Sequence, residues 1–468
     1  MLVPTLSLRA DDFIDMPAAF ALLREIAREE IAGGAVETAD DRRTQRFETG
    51  DGRAAVAVWP PEDDAPLRIE ISGLPTDADG SMAGAVLISG EGLAGLFEAL
   101  AIPAPGDPTP PSTGEGRAAA FDAWLAAQSF EAAGGRRFDI LQTGAGDDAI
   151  SGGDRRDVVY GSQGGEDVFD GGRGNDVLVY RETVEASLDP PTGGVAVDLP
   201  GRTVTKAGGA VDRFASIERL ILTGFDDVVE GGRRKGAVNV GMAGGDDVYR
   251  ATAGGVDLVI AGDGADLVAT GQGSDVVYGG AGDDRLRTGA DRDRIDAGEG
   301  DDAARGGRDN DVVDGGGGDD RLFGGAGHDH LSGEDGADRL VGGRGKDVLR
   351  AGGGDDLLFG GFGADKMLGG KGADRYDGGG GADVLLLGDA FRRPDGAMDV
   401  VVLRAGDGRD VIRDMALEED RFALEGLTFA ELSFVDAGAG AEIRAGDEAL
   451  AVVRGIAAAD LDDAGLFL

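Results

Sequence analysis

The sequence has no cysteine and only two histidines, His328 and His330. That excludes disulfides, thiol catalysis and cysteine-ligated metals, and leaves too few imidazoles for a histidine zinc site or a catalytic triad. Aromatic residues are 5% of the chain, which does not suit an ordinary enzyme core. Basic charge is also short: 45 Lys and Arg stand against 89 Asp and Glu, a formal net charge of −44. Such a field opposes nucleic acid and anionic membrane and favours cations. No apolar run approaches the ~18 residues of a membrane span. Asp11, Asp12, Glu29 and Glu30 stand where a secretion signal has a basic end and an apolar stretch, so a cleaved amino-terminal signal is not expected. The metalloprotease HExxH and the hydrolase GxSxG are absent.

What is abundant is glycine, 86 of 468 residues, and it is periodic. Residues 261–386 are fourteen nine-residue repeats without a slip in register, each of the form GGxGxDxUx with U apolar. The stretch GGAGDDRLR at 279–287 is a clean copy. The sixth position is aspartate throughout: Asp266, Asp275, Asp284, Asp293, Asp302, Asp311, Asp320, Asp329, Asp338, Asp347, Asp356, Asp365, Asp374 and Asp383. The eighth is apolar throughout, from Val268 and Val277 to Tyr376 and Leu385. The fourth is glycine except at Asp291 and Asp309, where altered turns are expected.

Glycine reaches the positive-φ conformations that tight repeated turns require. The pattern predicts six turn residues and a three-residue strand whose middle side chain, the eighth, faces inward. Two nonads then make one coil of a flattened right-handed parallel solenoid, with coils stacked at roughly 4.8 Å. Asp266 comes to lie over Asp284, and Asp275 over Asp293, down the two edges. Unneutralised carboxylate columns repel. Calcium, which accepts about six to eight oxygens in flexible geometry, suits carbonyl-rich turns better than magnesium does.

These nonads resemble those of the RTX family of calcium-binding β-rolls, over roughly residues 142–424. The resemblance implies that sixth-position aspartates and turn carbonyls of successive coils bind calcium. That role extends to an earlier block at 143–179, with Asp148, Asp157, Asp167 and Asp176, and to Asp247 and Asp257, which lead into the main block. One ion for each pair of aspartates stacked on successive coils, twelve pairs in the main block and two in the first, gives about fourteen calcium ions, enough to bring the charge to roughly −16.

The expected fold class is mainly β: a right-handed parallel β-roll solenoid with a small α+β amino-terminal domain and a β-strand carboxy-terminal cap. Residues 1–135 are read as the amino-terminal domain, with helices over 17–31 and 117–130, strands near 53–60, 66–72 and 83–89, and a proline-rich linker at 103–111. Residues 136–179 are the first roll block, 180–241 a strand-rich spacer, 242–386 the main roll and 387–468 the cap. The segment at 406–427 resembles the family's end of the roll, and the final strands resemble the uncleaved secretion region of type I substrates.

Other motifs read as structure. In TDADGS (76–81) the place where a calcium hand requires glycine is taken by Met82, so the segment is a turn. His328 is expected in an exposed turn and His330 facing out. Phe323, Val341 and Phe359 all occupy the ninth position and should form an outer apolar stripe, covered by the carboxy-terminal strands or open to another protein or a glycan. Arg285, Arg294, Arg321 and Arg339 are expected to moderate the acidic charge rather than to bind nucleic acid. The resulting expectation is a secreted, extracellular, non-enzymatic calcium-binding protein of structural, adhesive or surface-interaction role, exported by the type I secretion machinery of a bacterium. The alternative is a secreted enzyme whose small polysaccharide-active domain, within residues 1–135, uses Asp40 and Asp41 or Asp63 and Asp64.

Overall fold

The computed structural model describes residues 139–180, 191–231, 239–251, 254–388 and 396–468, together with strands between Thr5 and Ala133. The chain divides into two compact units, Met1–Val229 with Asn239–Gly241, and Glu230–Val238 with Met242–Leu468.

In the second unit the nonads form two parallel sheets. Val276–Ala281, Arg294–Glu299 and Val312–Gly317 are successive strands of one, and Arg285–Ala290, Ala303–Arg308 and Arg321–Ala326 of the other. Each strand pairs with the one eighteen residues on, Val277 with Ile295 and Leu286 with Ala304. The strands have six residues, not the expected three. Positions one to three of the next nonad stay in the ladder, as in the pairing of Gly280 with Gly298, so the turn itself is confined to positions four to six.

That longer strand turns a second position inward. The eighth-position side chains, such as Leu322, Leu340 and Leu358, are fully buried, and so are the small residues at position one, including Ala261, Thr288 and Ala297. A Cβ on Gly324, also at position one, would stand 2.5 Å from the Asp329 carboxylate and 2.8 Å from the Gly342 carbonyl. The interior is therefore one row of large apolar side chains beside one row of small ones. Position two is closed to side chains as well: Gly298 has φ 119°, and a Cβ there would lie 2.0 Å from the Gly280 carbonyl oxygen. Asp291 and Asp309 keep the fourth-position turn by taking φ 79° and 71°, a left-handed conformation aspartate tolerates better than most residues.

Beyond the repeats, Val400–Arg404 and Arg421–Glu425 extend one sheet, and Asp410–Arg413 extends the other. Glu448–Arg454 pairs with Asp410–Arg413 and closes an antiparallel meander with Leu432–Asp436 and Gly440–Ala445. Phe422 stacks on Phe467 at 5.2 Å, with Phe429 and Phe434 against the same ring. The carboxy-terminal strands thus add to the end of the roll, where unpaired strand edges need cover.

The first unit holds shorter versions of the same ladder. Ile140–Gln142, Val158–Tyr160, Val177–Val179 and Arg219–Ile221 run in parallel register, as do Ala149–Asp154, Val168–Arg173 and Val211–Ala215. The hairpin Ala196–Asp198 and Thr203–Thr205 joins the last of these. An antiparallel run, Arg42–Glu48, Ala54–Trp59, Arg68–Ser72, Val86–Gly90 and Thr5–Arg9, leads to Ser129–Ala133, which pairs in parallel with Ala149–Asp154. The helix expected over 17–31, residues 117–128 of the other expected helix, and 76–81 lie outside the described residues. Ser129 and Phe130, expected to end that other helix, lie in a strand.

Candidate metal centre

Every sixth-position aspartate identified from the sequence is buried, at most 4% exposed. The strand that follows places it, because its backbone must sit at the sheet edge for the eighth residue to point inward. Its carbonyl accepts from the next coil, as Asp266 does from the Arg285 N–H at 2.8 Å. Its N–H donates to the Oδ1 of the next aspartate in the column: Asp284 to Asp302 at 2.7 Å and Asp302 to Asp320 at 2.9 Å on one edge, Asp293 to Asp311 at 3.0 Å and Asp311 to Asp329 at 2.9 Å on the other.

The second carboxylate oxygen is different. Oδ2 of Asp266, Asp284, Asp302, Asp311, Asp320, Asp329, Asp338, Asp347 and Asp365 is buried without a hydrogen bond. Burial pushes the carboxyls of Asp284, Asp302, Asp311, Asp320 and Asp347 up to about 7, against the N–H bonds that favour the charged form, and nearby aspartates raise them further. Asp356 and Asp383 reach about 8 for the same leading cause. Such an orphaned oxygen needs either a proton or a cation.

The donor set fits calcium. Carbonyl oxygens of Gly262 and Gly264 aim along the stack, 1.9 and 2.2 Å from where Cβ atoms of Gly280 and Gly282 would stand. Among the described residues no three acidic or histidine side chains converge, so a bound ion would draw much of its shell from such carbonyls, beside the aspartates. An all-oxygen, flexible set of this kind suits a large hard cation.

The columns run further than the nonads. Asp374 donates to Asp399 at 2.9 Å, Asp399 to Asp420 at 3.1 Å and Asp383 to Asp410 at 3.0 Å. In the first unit Asp139 donates to Asp157, Asp167 to Asp212 and Asp176 to Glu218. Sequence spacing missed Asp212, Asp399, Asp410 and Asp420 because insertions break the eighteen-residue step, and Asp139 because, although it keeps that step to Asp157, no glycine turn precedes it in RRFD. A surviving signal was present in all five: Asp, any residue, then a buried apolar one, as in Asp399-Val400-Val401 and Asp420-Arg421-Phe422.

One step of the first unit carries the chain's own cation. The buried Lys206 ammonium lies 3.3 Å from Asp167 Oδ2 and 2.7 Å from Asp212 Oδ1, and also bonds the Gly164 carbonyl. Tyr180 donates to the other oxygen of Asp212. Asp167, a calcium ligand by the sequence expectation, is thus placed against a lysine. Replacing Lys206 by Met is expected to leave two buried carboxylates uncompensated and to destabilise this unit by about 3–5 kcal/mol at neutral pH. Amide exchange of Val211–Ala215 in the full chain measures it; unchanged protection would refute the pairing's role.

His328 accepts the Lys346 N–H through Nδ1 at 2.8 Å, a turn-stacking contact, and His330 faces out on its strand.

These columns define a parallel β-roll whose edges are seams of buried carboxylate and carbonyl oxygen. The repeat region belongs to the RTX calcium-binding nonapeptide repeat family, whose model matches residues 133–165, 143–178 and overlapping segments from 243–277 to 350–385. RTX repeats bind calcium in general. Among curated proteins no sequence matches the chain. A similar solved structure is the extracellular lipase LipA from Serratia marcescens, at 16% identity over 73% of this chain with a TM-score of 0.17. The chain covers 40% of that structure, and the likeness is too weak to bear on function.

Proposed function

We propose that the protein is a secreted module assembled by calcium, with a structural, adhesive or surface-interaction role and about fourteen ions bound between stacked turns. The observation behind this reading is the run of buried aspartate Oδ2 atoms without hydrogen bonds in the main roll, from Asp266 to Asp365, in a chain of net charge −44. The same charge suggests the route. Where free calcium is low the repeats stay unfolded and can be threaded out; where it is millimolar they fold, and a folded coil cannot slide back. The proposed division is residues 1–135, 136–179, 180–241, 242–386 and 387–468. The acidic pairs of the enzyme alternative, Asp40 with Asp41 and Asp63 with Asp64, lie outside the described residues, and no observation favours that reading.

Fusing residues 387–468 to an unrelated passenger tests the export step separately from folding. The fusion is expected in the medium of cells with a type I secretion system and inside cells lacking it. Retention in both would refute a carboxy-terminal signal.

A further inference from the structure

The outward acids of the main roll's strands lie almost wholly on one sheet. Its strands, from Leu258–Asp263 to Lys366–Lys371, carry Asp263, Asp296, Glu299, Asp314, Glu334 and Asp335, mixed with Arg294, Arg350, Lys366 and Lys371. Strands of the other, from Leu267–Gln272 to Arg375–Gly381, present a single acidic residue, Asp377, which pairs with Arg404. That face instead presents Arg285, Arg287, Arg305, Arg308, Arg321 and Arg344, all exposed and none in an ion pair. The exposed turn acids Asp283, Asp309 and Asp319 flank these strands in sequence, but none forms an ion pair with the arginines. Arg294, grouped with these by sequence, is on the acidic face.

A groove of about 660 Å³ runs across the strands of the arginine face. Its floor is the row of position-two glycines from Gly289 to Gly361. The backbone keeps that floor bare: a Cβ on Gly307 would lie 2.2 Å from the Gly289 carbonyl oxygen. Arg287 and Arg305 stand on one bank, one strand apart, and Arg308 and Arg344 on the other, two strands apart. Phe362, 69% exposed, closes the same bank, while Phe323 and Phe359 lie half-buried beneath Arg305 and Arg339 at 5.4 and 4.1 Å.

We infer that this groove binds a linear acidic polysaccharide of the uronate class, in a manner resting on the calcium-folded roll. Guanidinium groups take carboxylates in bidentate pairs. Arg287 and Arg305 stand one strand spacing of roughly 4.8 Å apart and Arg308 and Arg344 two, steps comparable with one and two sugar rings in an extended polymer, and Phe362 offers a face for the apolar side of a ring. Nucleic acid fits less well, because its denser charge meets the whole-chain charge of −44. The acidic sheet of a second copy would span the banks and leave the groove unfilled.

The test is titration of the full chain in calcium with a labelled short uronate oligosaccharide and with its methyl ester. Binding is expected for the acid, with the ester about tenfold weaker or worse, and a similar loss for Arg305→Glu combined with Arg308→Glu. Arg350→Glu, on the opposite face, should leave affinity unchanged. Circular dichroism in calcium reports the fold of each variant. A folded protein that ignores the oligosaccharide, binds acid and ester alike, or binds a DNA oligonucleotide as tightly overturns the assignment and leaves the calcium reading intact. So does self-association that disappears in the double variant. A protein that fails to fold in calcium overturns both.

Discussion

Chelating calcium at neutral pH should unfold the repeat region of the second unit, with loss of strand circular dichroism and rapid cleavage by trypsin at arginines such as Arg285 and Arg321. Each nonad buries one large apolar side chain, for example Leu322 or Leu340, contributing about 1.5–3 kcal/mol while ordering nine glycine-rich residues. Against that stand two columns of buried carboxylates whose Oδ2 atoms lack hydrogen bonds. A ligand present at a hundred times its dissociation constant stabilises by about 2.7 kcal/mol per site, and here the sites are many and adjacent. Restoring calcium should therefore restore strand signal steeply over a narrow concentration range. Strand content that persists in excess chelator at neutral pH would show that the carboxylates are met by something else.

Acid should substitute in part for the metal. In the folded roll the carboxyls of Asp284, Asp302, Asp311, Asp320 and Asp347 are raised to about 7 by burial, whereas in the unfolded chain they titrate near 3.9. The folded, metal-free state then binds more protons than the unfolded state between those values. The stabilisation from these groups is fully present below the unfolded value and is lost as pH rises through about 7. With chelator, strand signal should return as pH falls from about 7 towards 4. With calcium the dependence reverses, because the ion and the proton compete for the same oxygens: the calcium midpoint should rise below about pH 7, and binding between about pH 4 and 7, where the metal-free roll is protonated and folded, should release protons. Calorimetry in buffers of different ionisation enthalpy measures that release. A calcium midpoint indifferent to pH across this range would contradict buried aspartates as ligands.

Much of this was legible in the chain because a solenoid repeats its contacts at a fixed step. The inward eighth residue and the edge aspartate recur with period nine, so Asp266 to Asp383 could be placed before any coordinates. Strand length was not legible: glycine at positions one and two reads as turn, yet Gly279 and Gly280 lie in the strand Val276–Ala281. Asp399, Asp410 and Asp420 were hidden because insertions change the step while the local Asp-x-apolar unit survives. Lys206 gave no signal, since nothing local shows that a lysine in a hairpin reaches Asp167 across the fold. The arginine face was readable only by sorting outward residues on alternate nonads, because consecutive nonads belong to opposite sheets.

Calcium counted by equilibrium dialysis of the folded chain addresses the central claim most directly. Many ions per chain, with fewer when Asp311 and Asp329 are both replaced by Asn, is the expected result. A roll with full strand content that retains no calcium, or a count unmoved by those substitutions, would contradict it.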